Sequence, residues 1–530
     1  MLVRAISVAL FVLISLIVAQ SFITDAKDPK SKTVVNEKAG EKTASSPADL
    51  AKQIDTIIDQ SEFAYARWGV YVISLTDGAI VYQRDGDRLF TPASNMKIYT
   101  TGVALDLLGA DYRWRTSVYA NAGPDASGTI HGDLVLYGRG APDLVSTSKD
   151  LNKPSLSNLV EQLYQKGVRR VDGNVIGDAS YFRGDPLGDG WQWTDLQWYF
   201  GAEASALSIN GNEVDVNVVP SGNSAQPAEV RVSNAQANVA IQNRMGISGK
   251  DERPTVGLHR GLSDNNVEVW GEFAPSSKGF GARLAVHDPA MWASRLFIDA
   301  LKARGIQVAG EAQSRDARIA PSARFDPAKA SELATVVSQS LGEIAKATNK
   351  ESINLNAELI LRTLGRERGS MANGVEPVGR EAGDDENGVA VVRMWLSRAG
   401  VSVARLALHD GSGLSRLDLV TPETSARLLV AMSRTASANV FRDTLPIAGR
   451  DGTLAGRMSN LADQVWAKTG SLTYDNSLSG YVNTPRGVAA FSIMCNDATG
   501  RAPSTRVIDE IVESIATNGR TAPLKTQKPQ

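Results

Sequence analysis

The stretch Thr91-Pro92-Ala93-Ser94-Asn95-Met96-Lys97 decides how this chain is read. Pro92 is pre-set for a first helical turn, and the apolar positions Met96, Val103, Ala104, Leu107 and Leu108 keep the helical period up to a stop at Gly109. The spacing therefore predicts a core helix whose first turn carries Ser94 and Lys97. Residues three apart on a helix are neighbours, so the lysine amine can reach the serine hydroxyl. A primary amine buried beside its target can be neutral near pH 7 and act as the base that activates it. The helix N-terminus also favours negative charge at Ser94. The competing reading is that Ser94 only caps the helix, a position for which serine is favoured.

Outward from this helix, Trp68 to Leu75 and Ala79 to Gln83 read as a hairpin around Thr76-Asp77-Gly78. Before it, Leu50, Ile54, Ile57 and Ile58 follow Ser46-Pro47 at helical spacing. After it, from about Asp111 to Ala330, the chain becomes a string of short strand-like runs and turns, interrupted by one clear helix, Pro289 to Arg304. Helical patterning returns at Glu332 and lasts through Thr435. Gln464 to Lys468, Leu478 to Asn483 and Val488 to Asn496 then read as a three-strand meander, closed by a helix from Thr505 to Ala516. The expected architecture is an α/β (α+β) domain, residues 49–113 and 332–518, split by a large, mostly β insertion of two subdomains at 114–331.

Two further motifs fall inside the split domain. Ser352-Ile353-Asn354 opens a predicted helix, and Lys468-Thr469-Gly470-Ser471 ends a predicted strand. A strand edge can pair with an extended peptide, and glycine keeps the approach open. Lys468 offers a permanent cation to a substrate carboxylate, and Thr469 offers a hydroxyl to the same group. Alone, each motif is weak, since about one to three copies of a three- or four-residue pattern of this kind arise by chance in such a chain. A second S-x-x-K stands at Ser146 to Lys149, and other S-x-N triplets begin at Ser208, Ser221, Ser263 and Ser437. Lys-Thr-Gly occurs once. Order and placement at helix starts and a strand end select Ser94, Ser352 and Lys468, a trio known in penicillin-recognising serine enzymes.

Composition narrows the alternatives. With 530 residues, 42% hydrophobic and a net charge of -2, the chain is an ordinary multi-domain globular protein with no basic field for nucleic acid. The single cysteine, Cys495, sits in an apolar strand pattern and reads as a buried small hydrophobe. The four histidines show no metal-ligand spacing, so neither a metal nor a cofactor is expected. Arg4 followed by the apolar run Ile6 to Ala19 and small residues reads as a secretory signal over residues 1–24, with an uncleaved membrane anchor as the alternative. Both place the chain in the periplasm or on the outer face of the cytoplasmic membrane. Residues 25–48 read as a polar linker and 519–530 as a flexible tail.

The chain resembles the class C low-molecular-mass penicillin-binding proteins, the D-alanyl-D-alanine carboxypeptidase/endopeptidases, over about Asp49 to Glu513. Besides the trio, the resemblance rests on Asn354 to Glu358, Asp410 to Arg416, Gly449 to Leu454 and Leu478 to Val482. The long gap between Ser94 and Ser352 is itself a mark of this class. Ser-Ile-Asn replaces the usual Ser-Asp-Asn but keeps both polar side chains. The resemblance implies a penicillin-recognising, transpeptidase-like fold and acyl transfer in two steps. It makes Ser94 the nucleophile and Lys97 its base. Ser352, with Lys97, would be the proton donor to the leaving amine, and Asn354 would hold the substrate amide. It assigns the terminal carboxylate to Lys468 and Thr469, and the oxyanion to the backbone N–H groups of Ser94 and Ser471 beside Gly470. It implies peptidoglycan stem peptides as substrates and β-lactams as inhibitors. It also matches Asp178 to an acid of the inserted region that binds the free amine of a diaminopimelate-type side chain; the alternative is that Asp178 caps a turn.

Two other readings remain open. A β-lactamase or esterase could use the same trio, and a non-catalytic peptidoglycan-binding protein could keep the fold. A Ser-His-Asp hydrolase through His409, Asp410 and Ser412 is weaker, because no G-x-S-x-G elbow exists and sequence neighbours rarely form a triad. Trp191, Trp193 and Trp198 could stack on glycan, but packing of a β domain is the more ordinary role.

Overall fold

The computed structural model describes residues 47–518, apart from 151–152, 224–225, 235–236, 238, 250–252, 275, 317, 319 and 373–382. The expected leader, nearly all of the linker and the tail lie outside the described residues. Among the described residues no helix is long and apolar enough to cross a membrane.

The last three strands, Val465–Leu472, Asp475–Thr484 and Gly487–Asn496, form the expected meander, and Gly487–Asn496 continues onto the hairpin Arg67–Ser74 and Ile80–Arg84. The result is one antiparallel five-stranded sheet with Val465–Leu472 at its edge. Period-two alternation sorts its side chains. Trp68, Val70, Val72, Phe491, Ile493 and Cys495 face a core shared with the helices Pro47–Asp59 and Thr505–Asn518. Tyr71, Ile73, Tyr481, Ala490 and Met494 face the opposite core, built with Met96–Leu107 and Pro422–Met432. Leu50, Ile54 and Ile58 are fully buried, each stabilising the fold by about 1.5–3 kcal/mol. Cys495 is buried as expected, and burial pushes its thiol up to about 12.

The inserted region centres on a second five-stranded sheet in the order Ala312–Arg315, Val175–Asp178, Leu134–Tyr137, Arg115–Ala120 and Ser331–Val337. Its first and last strands in sequence pair antiparallel, Arg115 opposite Val337. The entry and exit of the insertion are therefore side by side, which lets a host domain accept it without separating its own halves. Among the described residues, three small three-stranded sheets also lie within it.

Two expectations are corrected here. Helical structure does not begin at Glu332: Ser331–Val337 is a strand, its β-branched end paired to Arg115–Ala120, and the helix starts at Leu341 behind a Ser340 and Glu343 capping box. The insertion also holds a second helix, Leu156–Gln165, capped by the Ser155 hydroxyl, with Leu156, Leu159, Val160 and Leu163 buried. That spacing is helical but runs for only 10 residues, too short to stand out among strand-like neighbours.

Candidate active site

Ser94 lies in a single tight turn, Ala93–Asn95, that feeds the helix Met96–Leu107. The capping positions are Pro92 and Asn95, and neither makes a side-chain cap bond. Ser94 is therefore not the helix cap. Its hydroxyl lies 2.9 Å from Lys97 Nζ. The turn is strained: Ala93 has φ 49°, in the left-handed region, at a cost of about 1–2 kcal/mol for a residue with a Cβ. Three contacts hold it there. Asn95 Nδ2 donates to the Lys468 carbonyl at 2.9 Å, the Ser477 hydroxyl donates to the Pro92 carbonyl at 2.6 Å, and Gly413 packs on the Ala93 carbonyl.

Gly470 belongs to this packing. A Cβ there would stand 2.2 Å from Ser477 Oγ and 2.6 Å from the Pro92 carbonyl. The glycine admits the protein's own nucleophile turn, which differs from the open approach for substrate expected from the sequence.

Lys97 is fully buried, and its amine has three partners: Ser94 Oγ, Asn354 Oδ1 at 2.6 Å and the Ser412 carbonyl at 2.8 Å. Burial pulls its pKa down to about 7, against the opposing pull of the Asp410 and Glu358 carboxylates. At neutral pH a large share of the amine is thus free base.

The helix Asn354–Arg368 presents Asn354, Glu358 and Arg362 at successive four-residue steps along one face. Asn354 Nδ2 donates to the Phe200 carbonyl at 2.9 Å, which fixes its amide so that Oδ1 faces Lys97. Glu358 accepts from the Gly411 and Ser412 backbone N–H groups at 3.0 and 2.9 Å, and from Arg362 at 2.8 Å. Just before this helix Ser352 sits at φ 59°, a left-handed kink between two helices. Its hydroxyl lies 2.9 Å from Lys468 Nζ.

Lys468 is fully buried, and its amine also donates to the Thr469 carbonyl at 2.9 Å. Burial, followed by the nearby Lys97 charge, pushes its pKa well below the ordinary lysine value. A substrate carboxylate beside the amine would favour its charged form. Thr469 Oγ1 donates to Thr453 Oγ1 at 2.8 Å. The Ser471 side chain is exposed and accepts from Asn476 Nδ2 at 3.0 Å, one step beyond Gly470 on the edge strand.

Asp178 is elsewhere. It ends the strand Val175–Asp178, is fully buried, and binds Arg315 at 2.5 Å and the Ser180 N–H and hydroxyl at 2.8 and 2.6 Å. Both of its oxygens are committed to a structural turn and ion pair, so it is not free for a substrate amine. The reading as a turn cap fits the geometry. Asp195 and Arg416 were not singled out in the sequence. Asp195 Oδ2 and Arg416 Nη1 are each buried without a hydrogen-bond partner, and the Arg416 charge acts on Asp195. The decoy Ser146 lies in a loop beside Asn210, and Ser412 bonds Asp410 while His409 pairs with Asp189. No His-to-serine contact forms there.

The inserted region reaches the site through one segment. Arg183 pairs with Asp384 at 2.6 Å, the Asp185 carbonyl accepts from Arg362 at 3.2 Å, and Trp191 Nε1 donates to Asp410 at 2.9 Å. Phe200 completes the series at Asn354. These contacts carry no sequence signature, because two of the four use backbone carbonyls.

Residues 50–518 match the model of the family described as D-Ala-D-Ala carboxypeptidase 3 (S13). A D-alanyl-D-alanine carboxypeptidase of an Actinomadura species is 33% identical over 86% of this chain and 82% of its own length. A D-alanyl-D-alanine carboxypeptidase of Haemophilus influenzae is 27% identical over 79% of this chain and 83% of its own. The crystal structure of penicillin-binding protein 4 from Haemophilus influenzae superposes with a TM-score of 0.72 at 24% identity, covering 88% of this chain and 98% of that one, and shares the fold. With the trio assembled at one site and the family model spanning nearly the whole described chain, this protein belongs to the D-Ala-D-Ala carboxypeptidase 3 (S13) family.

Proposed function

We propose that this chain removes the terminal D-alanine from peptidoglycan stem peptides through an acyl-enzyme on Ser94, and that β-lactams acylate the same serine. The observation that carries the reading is the Ser94–Lys97 pair, a hydroxyl 2.9 Å from a buried amine whose pKa is drawn to about 7. In the first step Ser94 Oγ attacks the carbonyl of the D-Ala-D-Ala bond while Lys97 takes its proton. The backbone N–H groups of Ser94 and Ser471 would receive the oxyanion, a role supported by the packing of Gly470 against Pro92 and Ala93. Ser352 passes a proton to the departing amine and recovers one from Lys97 or Lys468. The C–N bond breaks, D-alanine leaves, and an ester remains on Ser94. Water then hydrolyses the ester. Asn354 keeps one amide hydrogen for the substrate carbonyl, and Lys468 with Thr469 faces the terminal carboxylate. A β-lactam ring opens on Ser94 in the same way, and its tethered leaving group slows deacylation.

Asp195 and Arg416 support a second contact with substrate. A buried polar atom left unpaired costs about 1–3 kcal/mol, so two such atoms of opposite charge at neighbouring residues suit a ligand carrying both an amine and a carboxylate. The free end of a diaminopimelate-type side chain has that chemistry. Endopeptidase action on cross-links would use the same acyl-enzyme. The apolar run after Arg4 and the substrate class support work outside the cytoplasmic membrane. The deciding experiment is incubation with a muropeptide holding both a D-Ala-D-Ala terminus and a cross-link, with products read by mass. Loss of one alanine supports the reading, and an unchanged substrate refutes it.

A further inference from the structure

Asp410 organises a tight turn beside the catalytic pair. Its Oδ1 accepts from the backbone N–H groups of Ser412 and Gly413 at 3.1 and 2.6 Å. Its Oδ2 accepts from the Ser415 N–H at 2.8 Å, the Ser412 hydroxyl at 3.2 Å and the Trp191 indole N–H at 2.9 Å. Four of these donors lie within five residues of Asp410, whereas Trp191 comes from the inserted region, 219 positions away. The turn has two consequences for catalysis. The Ser412 carbonyl is the third partner of the Lys97 amine, and Gly413 packs so closely on the Ala93 carbonyl that a Cβ would stand 1.8 Å from it. The indole is itself held: a Cβ on Gly188 would meet its Nε1 at 2.3 Å, and the Arg416 N–H donates to the Gly190 carbonyl at 3.3 Å.

We infer that Trp191 is a positioning residue for Lys97: its indole N–H holds Asp410, and through the Asp410 turn it fixes the Ser412 carbonyl against the Lys97 amine. The inference rests on the proposed role of Lys97 as base and extends it to a residue outside the split catalytic domain. The charged neighbours of Lys97 are Asp410, Glu358 and Lys468. Those of Asp410 are Lys97, Glu358, Arg362 and Asp418, and Asp418 is pushed well above the carboxylate range by burial and by Asp410 itself. The Ser412 carbonyl and the Asp410 charge both favour the ammonium form of Lys97 over the neutral amine. When Trp191 no longer holds the turn, both act more weakly, and the amine becomes neutral at lower pH.

Trp191→Phe removes the N–H and keeps an apolar ring; a benzothiophene analogue of tryptophan at the same position keeps the full shape and removes only the N–H. The second-order rate of acylation by benzylpenicillin is measured across pH for the wild type and both variants, with thermal midpoints and peptide KM alongside. The expected result is a plateau lowered about tenfold and an acid limb moved to lower pH in both variants. A limb that stays in place while only the midpoint falls would make Trp191 a structural residue and overturn the inference. A raised peptide KM with an unaltered penicillin profile would make it a substrate contact and overturn it equally. A wild-type rate that is flat through neutral pH contradicts Lys97 as base, a failure visible before any variant is compared.

Discussion

Asn354 donates from Nδ2 to the Phe200 carbonyl at 2.9 Å while its Oδ1 lies 2.6 Å from Lys97 Nζ. An asparagine amide has one acceptor and one donor end, so fixing the donor end on Phe200 fixes which end the lysine meets. A backbone group of the inserted region thereby sets the orientation of a side chain in the catalytic centre. The insertion is part of the active site's construction, and truncating it would disturb catalysis as well as substrate choice.

The pH dependence of acylation follows from Lys97. Its conjugate acid falls from the ordinary lysine value to about 7, and only the neutral amine can take the Ser94 proton. The rate of β-lactam acylation should therefore rise about tenfold per unit of pH below that value and level off above it. Stopped-flow acylation with a chromogenic β-lactam, from about pH 5 to about pH 9, measures the limb. Lys97→Ala should lower the plateau by about a hundredfold to ten-thousandfold, the range of a positioned general base.

Ser94 is the expected site of one covalent adduct. Intact-protein mass after benzylpenicillin should show a single addition, mapped to the peptide that contains Ser94, and Ser94→Ala should show none. Ser146→Ala should label like the wild type, since Ser146 lies in a loop of the inserted region against Asn210. Labelling that survives Ser94→Ala would remove the nucleophile assignment.

Much of this site was legible because its chemistry is local. Ser94 and Lys97 are one helical turn apart, and Lys468, Thr469 and Gly470 are contiguous on a strand, so short motifs record them. The meander and hairpin were legible for a similar reason, because alternation sorts each strand between two cores. What escaped depends on distant backbone. Phe200 acts through its carbonyl, which any residue could supply, and Gly470 is required by its close packing on Pro92 and Ser477. Asp178 is ambiguous in sequence, because a carboxylate at a strand end looks alike whether it faces a cleft or, as here, pairs with a partly exposed arginine.

Lys468 should matter through its charge in the bound state. Lys468→Gln keeps a hydrogen-bond donor toward Ser352 but cannot become cationic when a substrate carboxylate arrives. A hydrogen bond to a charged group is worth about 1.5–3 kcal/mol, so kcat/KM for peptide should fall by about ten- to a hundredfold or more. Penicillin acylation, which also presents a carboxylate, should fall in parallel. Near-normal rates in a folded Lys468→Gln protein would contradict the assignment.

Glu358 is expected to matter for stability as well as rate. Its carboxyl, which burial pushes up to about 7, lies between the buried Arg362 and two backbone N–H groups. Glu358→Ala leaves a guanidinium that is 1% exposed without this partner, and breaking a buried pair costs about 3–5 kcal/mol. The denaturation midpoint should drop accordingly, and residual acylation should be slow because the Gly411–Ser412 turn loses its support. A midpoint equal to that of the wild type would show that the pair contributes little.

The last prediction separates two aspartates of the inserted region. Asp195 keeps a buried oxygen without a partner near Arg416, whereas both oxygens of Asp178 are bound to Arg315 and Ser180. Replacing each by asparagine removes charge while keeping size. Asp195→Asn should lower kcat/KM for a stem peptide with a free side-chain amine, with little change for the N-acetylated peptide or for benzylpenicillin. Asp178→Asn should do the reverse: it breaks the ion pair of a buried carboxylate with Arg315, so the midpoint of unfolding should fall and all three substrates should suffer alike or not at all. Steady-state kinetics on the three substrates, with unfolding curves for each variant, decide the matter. Selective loss in Asp178→Asn, with Asp195→Asn unaffected, would return side-chain recognition to Asp178 and leave the unpaired atoms of Asp195 and Arg416 without a ligand.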